Sequence, residues 1–116
     1  MMTMRVNIED TEDDYNGVLY EGVPYTREVV EIGREGNLIS LCNYYAGVQD
    51  GPYSEWYGPD RPFKQGTMRF GLLIGVNRKW HPNGQLALEI EFDDQGRELY
   101  RREWDDKRAL TYEHVI

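Results

Sequence analysis

Two histidines, one cysteine and 21 Asp and Glu residues are the groups from which this chain could assemble a reactive centre. A metal site needs His, Cys or carboxylate gathered at ligand spacing. His81 and His114 fall in different segments, and Cys42 is far from both. A serine or cysteine nucleophile needs a base beside it, yet Ser40, Ser54 and Cys42 lie on expected strands with no neighbouring histidine. Two carboxylates can share acid and base work. Asp93-Asp94 and Asp105-Asp106, however, sit where the chain turns, and aspartate is favoured there for its local hydrogen bonds. Gly71-Leu72-Leu73-Ile74-Gly75 lacks the lysine and the following helix of a phosphate-cradling loop. The residues predict no catalytic group, no metal and no cofactor.

Aromatic and acidic residues remain. Nine tyrosines and three tryptophans accompany a net charge of 13 − 21 = −8. That charge repels phosphate backbones and anionic lipid and attracts a basic protein, so no nucleic acid or membrane is expected as partner. Tyr44 and Tyr45 are adjacent on an expected strand, so they face opposite sides and one reaches solvent. Exposed tyrosine beside acid suits a protein interface. The candidate contact residues are Tyr45, Tyr53, Tyr57, Asp60, Asp93 and Asp94. Trp56, Trp80 and Trp104 read as a packing ladder. Arg78 and Arg102, two residues before their tryptophans, are placed to lie over those rings. Cys42 reads as an inert, packed thiol, and a lone cysteine forms no disulfide within the chain. Neither a signal-peptide core nor a membrane-spanning stretch is visible, so a cytoplasmic location is expected.

The elements that position these residues are most legible from Gly75 to Gly96. Leu86, Leu88, Ile90 and Phe92 alternate with Ala87, Glu89 and Glu91, the period of a strand with one apolar face. Pro82-Asn83-Gly84 supplies the turn before it. Subtracting 24 finds copies: the three tryptophans share a column, and Tyr20, Tyr44, Met68, Phe92 and Ile116 share another. Gly47 aligns with Gly71, Gly51 with Gly75, and Gly36 with Gly84. A 24-residue internal repeat follows. The predicted fold is all-β, an antiparallel meander of about eight short strands with one hairpin per unit. It forms a curled open sheet, with a partly closed barrel as the alternative. Residues 1–14 are expected to be an acidic lead-in, with a short strand over Met4 to Ile8 and a solvated, mobile Glu9 to Asp14. Residues 15–116 are expected to form one repeat domain. The second unit departs from the others at Tyr57-Gly58-Pro59-Asp60-Arg61-Pro62, where a widened loop or broken edge is expected.

The unit Gly75, Trp80, Gly84, Leu86, Phe92 and Gly96 resembles the MORN-repeat variant found in bacteria. Asp60 and Arg108 stand where that unit has Gly84. The resemblance implies stacked β-hairpins without catalytic residues. It also implies a role like that of YwqK-type antitoxins or immunity proteins, which bind and block the toxin domain of a secreted polymorphic toxin. A cytoplasmic monomer that forms a heterodimer with a basic toxin, with a toxin acting on nucleic acid among the options, is the first expectation. A scaffold of β-hairpin repeats with no toxin partner is the second.

Overall fold

The computed structural model describes residues 5–14 and 17–116. Met4, at the start of the expected lead-in strand, and Tyr15 and Asn16, at the start of the expected repeat domain, lie outside the described residues. The described chain is all-β apart from one 3-10 turn. β1 (Arg5–Asn7), a 3-10 turn (Ile8–Asp10), β2 (Thr11–Asp14), β3 (Gly17–Tyr20) and β4 (Val23–Pro24) come first. Then follow β5 (Arg27–Ile32), β6 (Leu38–Tyr45), β7 (Val48–Gly58), β8 (Arg61–Arg69), β9 (Leu72–Trp80), β10 (Leu86–Phe92), β11 (Glu98–Trp104) and β12 (Leu110–Val115). The last eight meander antiparallel through one sheet, to which β1 adds in parallel beside β5. β2, β3 and β4 form a second, small sheet. The large sheet is open, with β1 and β12 as its edges.

The acidic lead-in is therefore not a loose arm. Thr11 to Asp14 pair residue by residue with Tyr20 to Gly17, because backbone pairing needs no apolar side chain when β3 supplies the partner. Val6 of β1 is buried with Val18, Tyr25 and Val29, and Tyr20 and Tyr44 pack against them. This core lies where the small sheet meets the first strands of the large one. Three backbone hydrogen bonds knit the junction: Val18 N–H to Gly47 O, Tyr25 N–H to Val18 O, and Gly47 N–H to Tyr25 O.

Beyond Gly47 the only buried residue is Asn77. β10 is half-exposed at every position and β12 exposed at every position. The apolar face of Leu88, Ile90 and Phe92 thus exists but has no second layer over it, and a bulge interrupts the register between Leu86 and Leu88. The radius of gyration, 15.9 Å, exceeds the roughly 13 Å of a compact 100-residue domain.

The 24-residue period is carried by the backbone. At one end of the strands, here the loop edge, residues 33–37, 81–85 and 105–109 form the same five-residue loop. The first N–H of each donates to the last C=O: Gly33 to Asn37, His81 to Gln85 and Asp105 to Ala109. The fourth residue is left-handed, with φ 81° at Gly36, 88° at Gly84 and 71° at Arg108. The turn of the second unit does not widen, but its ladder is irregular as expected near the prolines: the register shifts on both sides of Trp56, which faces Pro62. Gly58 pairs with Arg61, so Pro59 and Asp60 alone make the turn, and Asp60 keeps the left-handed φ of 56°. Proline presets the first turn position and aspartate tolerates the second. Pro62 sits before β8 begins pairing with β9 at Lys64, so its missing N–H breaks no ladder on that side.

A left-handed conformation costs a non-glycine residue about 1–2 kcal/mol. Glycine would recover that and give back about 0.4–1 kcal/mol of unfolded-chain entropy. Arg108→Gly also gives up the exposed bond from Arg108 to Gln85, so it is expected to stabilise the chain by at most about 1 kcal/mol, raising Tm by a few degrees at most. Asp60→Gly should gain less, because aspartate already tolerates this region. Thermal melts of the two variants check the order.

Candidate functional site

The six candidate contact residues do not converge. Tyr45 and the Asp93-Asp94 loop lie at the opposite end of the strands, the turn edge. Tyr57 and Asp60 lie at the loop edge, and Tyr53 lies in mid-strand. Asp93 is occupied within its own loop. Its Oδ1 accepts from the N–H of Gln95 at 2.8 Å and of Arg97 at 2.9 Å, and Oδ2 lies 2.9 Å from Arg97 Nε. These bonds, the Arg97 N–H foremost, hold its carboxyl below the usual range. Asp105 repeats the arrangement on Lys107 and Ala109. The Tyr53 hydroxyl donates to Asn77 Oδ1 at 2.7 Å, and the Tyr57 hydroxyl donates to Trp80 O at 2.8 Å. Tyr45 and Asp94 remain exposed.

The turn edge carries what the sequence reading missed. Ala46-Gly47 and Phe70-Gly71, 24 residues apart, are two-residue turns with positive φ at both positions: 49° and 86°, then 48° and 83°. Such turns favour Asn, Asp and Gly. Phe70 is none of these and is 65% exposed. Leu72, at 51% exposure, follows in the next strand, and Tyr45, at 58%, lies on the same edge with β7 between it and Phe70. Gly96 brings the acidic loop within 3.6 Å of Leu72 when given a Cβ. The signal was the alignment of Gly47 with Gly71, which places Ala46 and Phe70 at the same turn position.

One face of the last four strands is a charge ladder. Arg78, Glu89, Arg102 and Glu113 are directly opposed in register. Arg78 Nε lies 2.8 Å from Glu89 and Arg102 Nε 2.7 Å from Glu113, while the Tyr100 hydroxyl donates to Glu89 at 2.8 Å. The expected arginine–tryptophan stacking gives way to these partners: Arg102 lies over Tyr100, 4.7 Å from its centroid, because Tyr100 shares its strand face and Glu113 draws the guanidinium across. Burial alone would raise the Glu89 carboxyl, but the bonds from Arg78 and Tyr100 and the charges of Arg78 and Arg102 outweigh it and lower it. A depressed carboxyl adds stability that is complete above the unfolded value of about 4.3 and is lost as pH falls through the folded one. Glu89→Gln is expected to flatten the acid limb of Tm against pH and leave the neutral-to-basic limb parallel to wild type.

At the loop edge, three clefts repeat one another. The first, about 310 Å³, is lined by Asn37, Leu38, Trp56, Gly58, Pro59 and Asp60. The second, about 150 Å³, includes Arg61, Pro62, Pro82, Asn83 and Gly84, each 24 residues on from a residue of the first, together with Tyr57 and His81. The third, about 240 Å³, is lined by Gln85, Leu86, Trp104 and Arg108, 48 residues on. Hydrogen bonds stitch the units: Arg61 to Pro82 O, Asn83 to Asp106 O, Arg108 to Gln85, and His81 Nε2 2.8 Å from Trp104 O. The three tryptophans lie an intervening strand apart and do not stack. Trp80 and Trp104 both line a broader trough on the sheet, about 470 Å³, which also holds Phe63 and Lys79, whose ammonium lies 5.2 Å from the Phe63 centroid.

Cys42 is half-buried, and burial pushes its thiol up, which disfavours the reactive thiolate. Among the described residues no three His, Cys, Asp or Glu side chains gather as a metal-ligand set. No described helix is long and apolar enough to cross a membrane.

No family model matches the chain, and no curated protein matches it. Among solved structures, a mutant of S. aureus TarM in complex with Fondaparinux, alpha-GlcNAc-glycerol and UDP aligns with 94% of this chain at 8% identity and a TM-score of 0.46. A second TarM structure aligns with 93% at 8% identity and a TM-score of 0.45. The chain spans about a fifth of the length of those proteins, 20% in each case.

Proposed function

We propose that the chain is a non-catalytic binding module that seats a partner protein on its turn edge. The partner we infer is a cognate bacterial toxin domain, which this chain blocks as an immunity protein or antitoxin. Phe70 carries the reading. An exposed aromatic side chain at a left-handed turn tip is unfavourable twice over and adds nothing to the core, whereas aromatic anchors dominate protein interfaces. Leu72 extends the apolar surface next to Phe70, Tyr45 adds an exposed ring farther along the same edge, and the Asp93-Asp94 loop borders Leu72 with acid suited to a basic partner. The choice of a toxin rests on the resemblance of the Gly75 to Gly96 unit to bacterial MORN-variant immunity proteins. In this reading the chain acts in the cytoplasm, in a one-to-one heterodimer, with no cofactor.

Co-expression with the product of the adjacent reading frame tests the proposal. Its C-terminal domain should arrest growth alone, and this chain should restore growth and co-purify in equal amounts. Phe70→Asn should remain folded, since asparagine suits the turn, and should weaken the complex by about 30-fold or more, the size of an interface hot spot. A harmless neighbour, or full protection by Phe70→Asn, would overturn the reading.

One observation favours a scaffold instead. β12 is an edge strand exposed along its whole length, and such an edge can pair with another chain. Light scattering separates the two: a monomer fits the immunity reading, and a stable homo-oligomer fits the scaffold.

A further inference from the structure

The three loop-edge clefts recur once per repeat, and each repeat contributes two strands to the sheet. At about 4.8 Å between strands, successive clefts are about 9.6 Å apart. A polyproline II helix advances about 3.1 Å per residue with three residues per turn, so every third side chain returns to one side after about 9.3 Å. The two periods match. The lining is partly repeated: Trp56 and Trp104 wall the first and third clefts beside Leu38 and Leu86, while in the second Tyr57, outside the tryptophan column, stands with Pro62 in place of Trp80. Aromatic-lined grooves are how proline-rich segments are recognised. The backbone carbonyls of such a segment have no internal donors. Asn37 lines the first cleft, and Arg61 and Arg108, each with one guanidinium N–H already engaged at Pro82 O and at Gln85, carry further N–H groups at the second and third.

We propose that the loop edge is a docking row for a proline-rich segment of a partner protein, held in the polyproline II conformation with every third residue seated in one cleft. The row is distinct from the Phe70 patch, which lies at the other end of the strands. Failure of the peptide test therefore leaves toxin neutralisation untouched, and the reverse also holds.

The test uses the full chain and blocked peptides of three, six and nine prolines, with a nine-residue glycine-serine peptide and soluble xylan as comparators. Affinity is read by calorimetry and location by backbone amide shifts. The nonaproline should bind at least about tenfold more tightly than the triproline, through linkage of successive seats. It should shift residues 33–37, 59–62, 81–85 and 105–109, and the glycine-serine peptide should not bind. Trp104→Ala should reduce the nonaproline to the hexaproline's affinity. Because that indole is half-buried, Arg61→Ala, at an exposed position, serves as the second variant and should weaken the nonaproline at least about threefold. Equal affinity for three and nine prolines, shifts confined to the turn edge, or binding of xylan but not of the nonaproline would overturn the proposal.

Discussion

Tyr25→Ala is expected to cost about 3–5 kcal/mol, the range for deleting a buried aromatic ring. Tyr25 is 2% exposed, the most buried large side chain in the described molecule. Its ring meets Tyr20 edge-on at 5.9 Å between centroids, and its hydroxyl donates to Glu28 O at 2.9 Å. The substitution would open a cavity between the two sheets, where nearly all of the apolar core is concentrated. No second core in β7–β12 would compensate. Against a total stability of about 5–15 kcal/mol, the urea midpoint should fall by at least about 1 M. Tyr25→Phe keeps the ring and gives up one hydrogen bond, so it should cost only about 1 kcal/mol. A cost below about 1 kcal/mol for Tyr25→Ala would mean that the core lies elsewhere.

Gly66→Ala should be comparably damaging, although alanine is ordinarily better than glycine in a strand. A Cβ at Gly66 would overlap Asn77 Oδ1 and come within 2.7 Å of the Tyr53 hydroxyl. Neither neighbour can withdraw freely. Asn77 is 7% exposed, and its amide also donates to Ile74 O at 3.1 Å. Overpacking costs about 1–3 kcal/mol, and a displaced buried amide about 1–3 kcal/mol more. Asn77→Ala frees the space, so the double variant should be less destabilised than the sum of the two single ones. Strict additivity in the cycle, measured by urea titration, would show that Gly66 is needed for some other reason.

What was legible in the sequence is what repeats locally. The strands over Arg27–Ile32 and Leu86–Phe92 have their expected bounds. The column of Gly36, Asp60, Gly84 and Arg108 keeps one left-handed backbone through two changes of residue type. Alternation reports which side chains share a face, but it cannot report whether anything covers that face. The apolar side of β10 reads as core and proves to be half-exposed, with no second layer over it. Charge told half the story: the five acids in residues 9–14 are exposed, as a solvated segment would be, yet Thr11 to Asp14 pair with β3 and Glu9 and Asp10 sit in the 3-10 turn before it. The grouping of site residues failed for a related reason. Tyr57 and Asp60 leave one end of the meander, and Tyr45 and Asp94 the other, which only strand order decides. Some lateral contacts were within reach. Tyr53 and Asn77, hydrogen-bonded across β8, are 24 residues apart, so the same subtraction that found the tryptophans would have paired them.

Hydrogen exchange along the free chain tests most directly whether the cored sheet ends in an uncovered one. Protection should be greatest in β5 to β8, decline toward β12, and leave Leu110 to Val115 exchanging fastest among the strands, at rates independent of protein concentration. Protection of β12 equal to that of β7, or rising with concentration, would contradict the account, because the open edge would then already be covered by another copy.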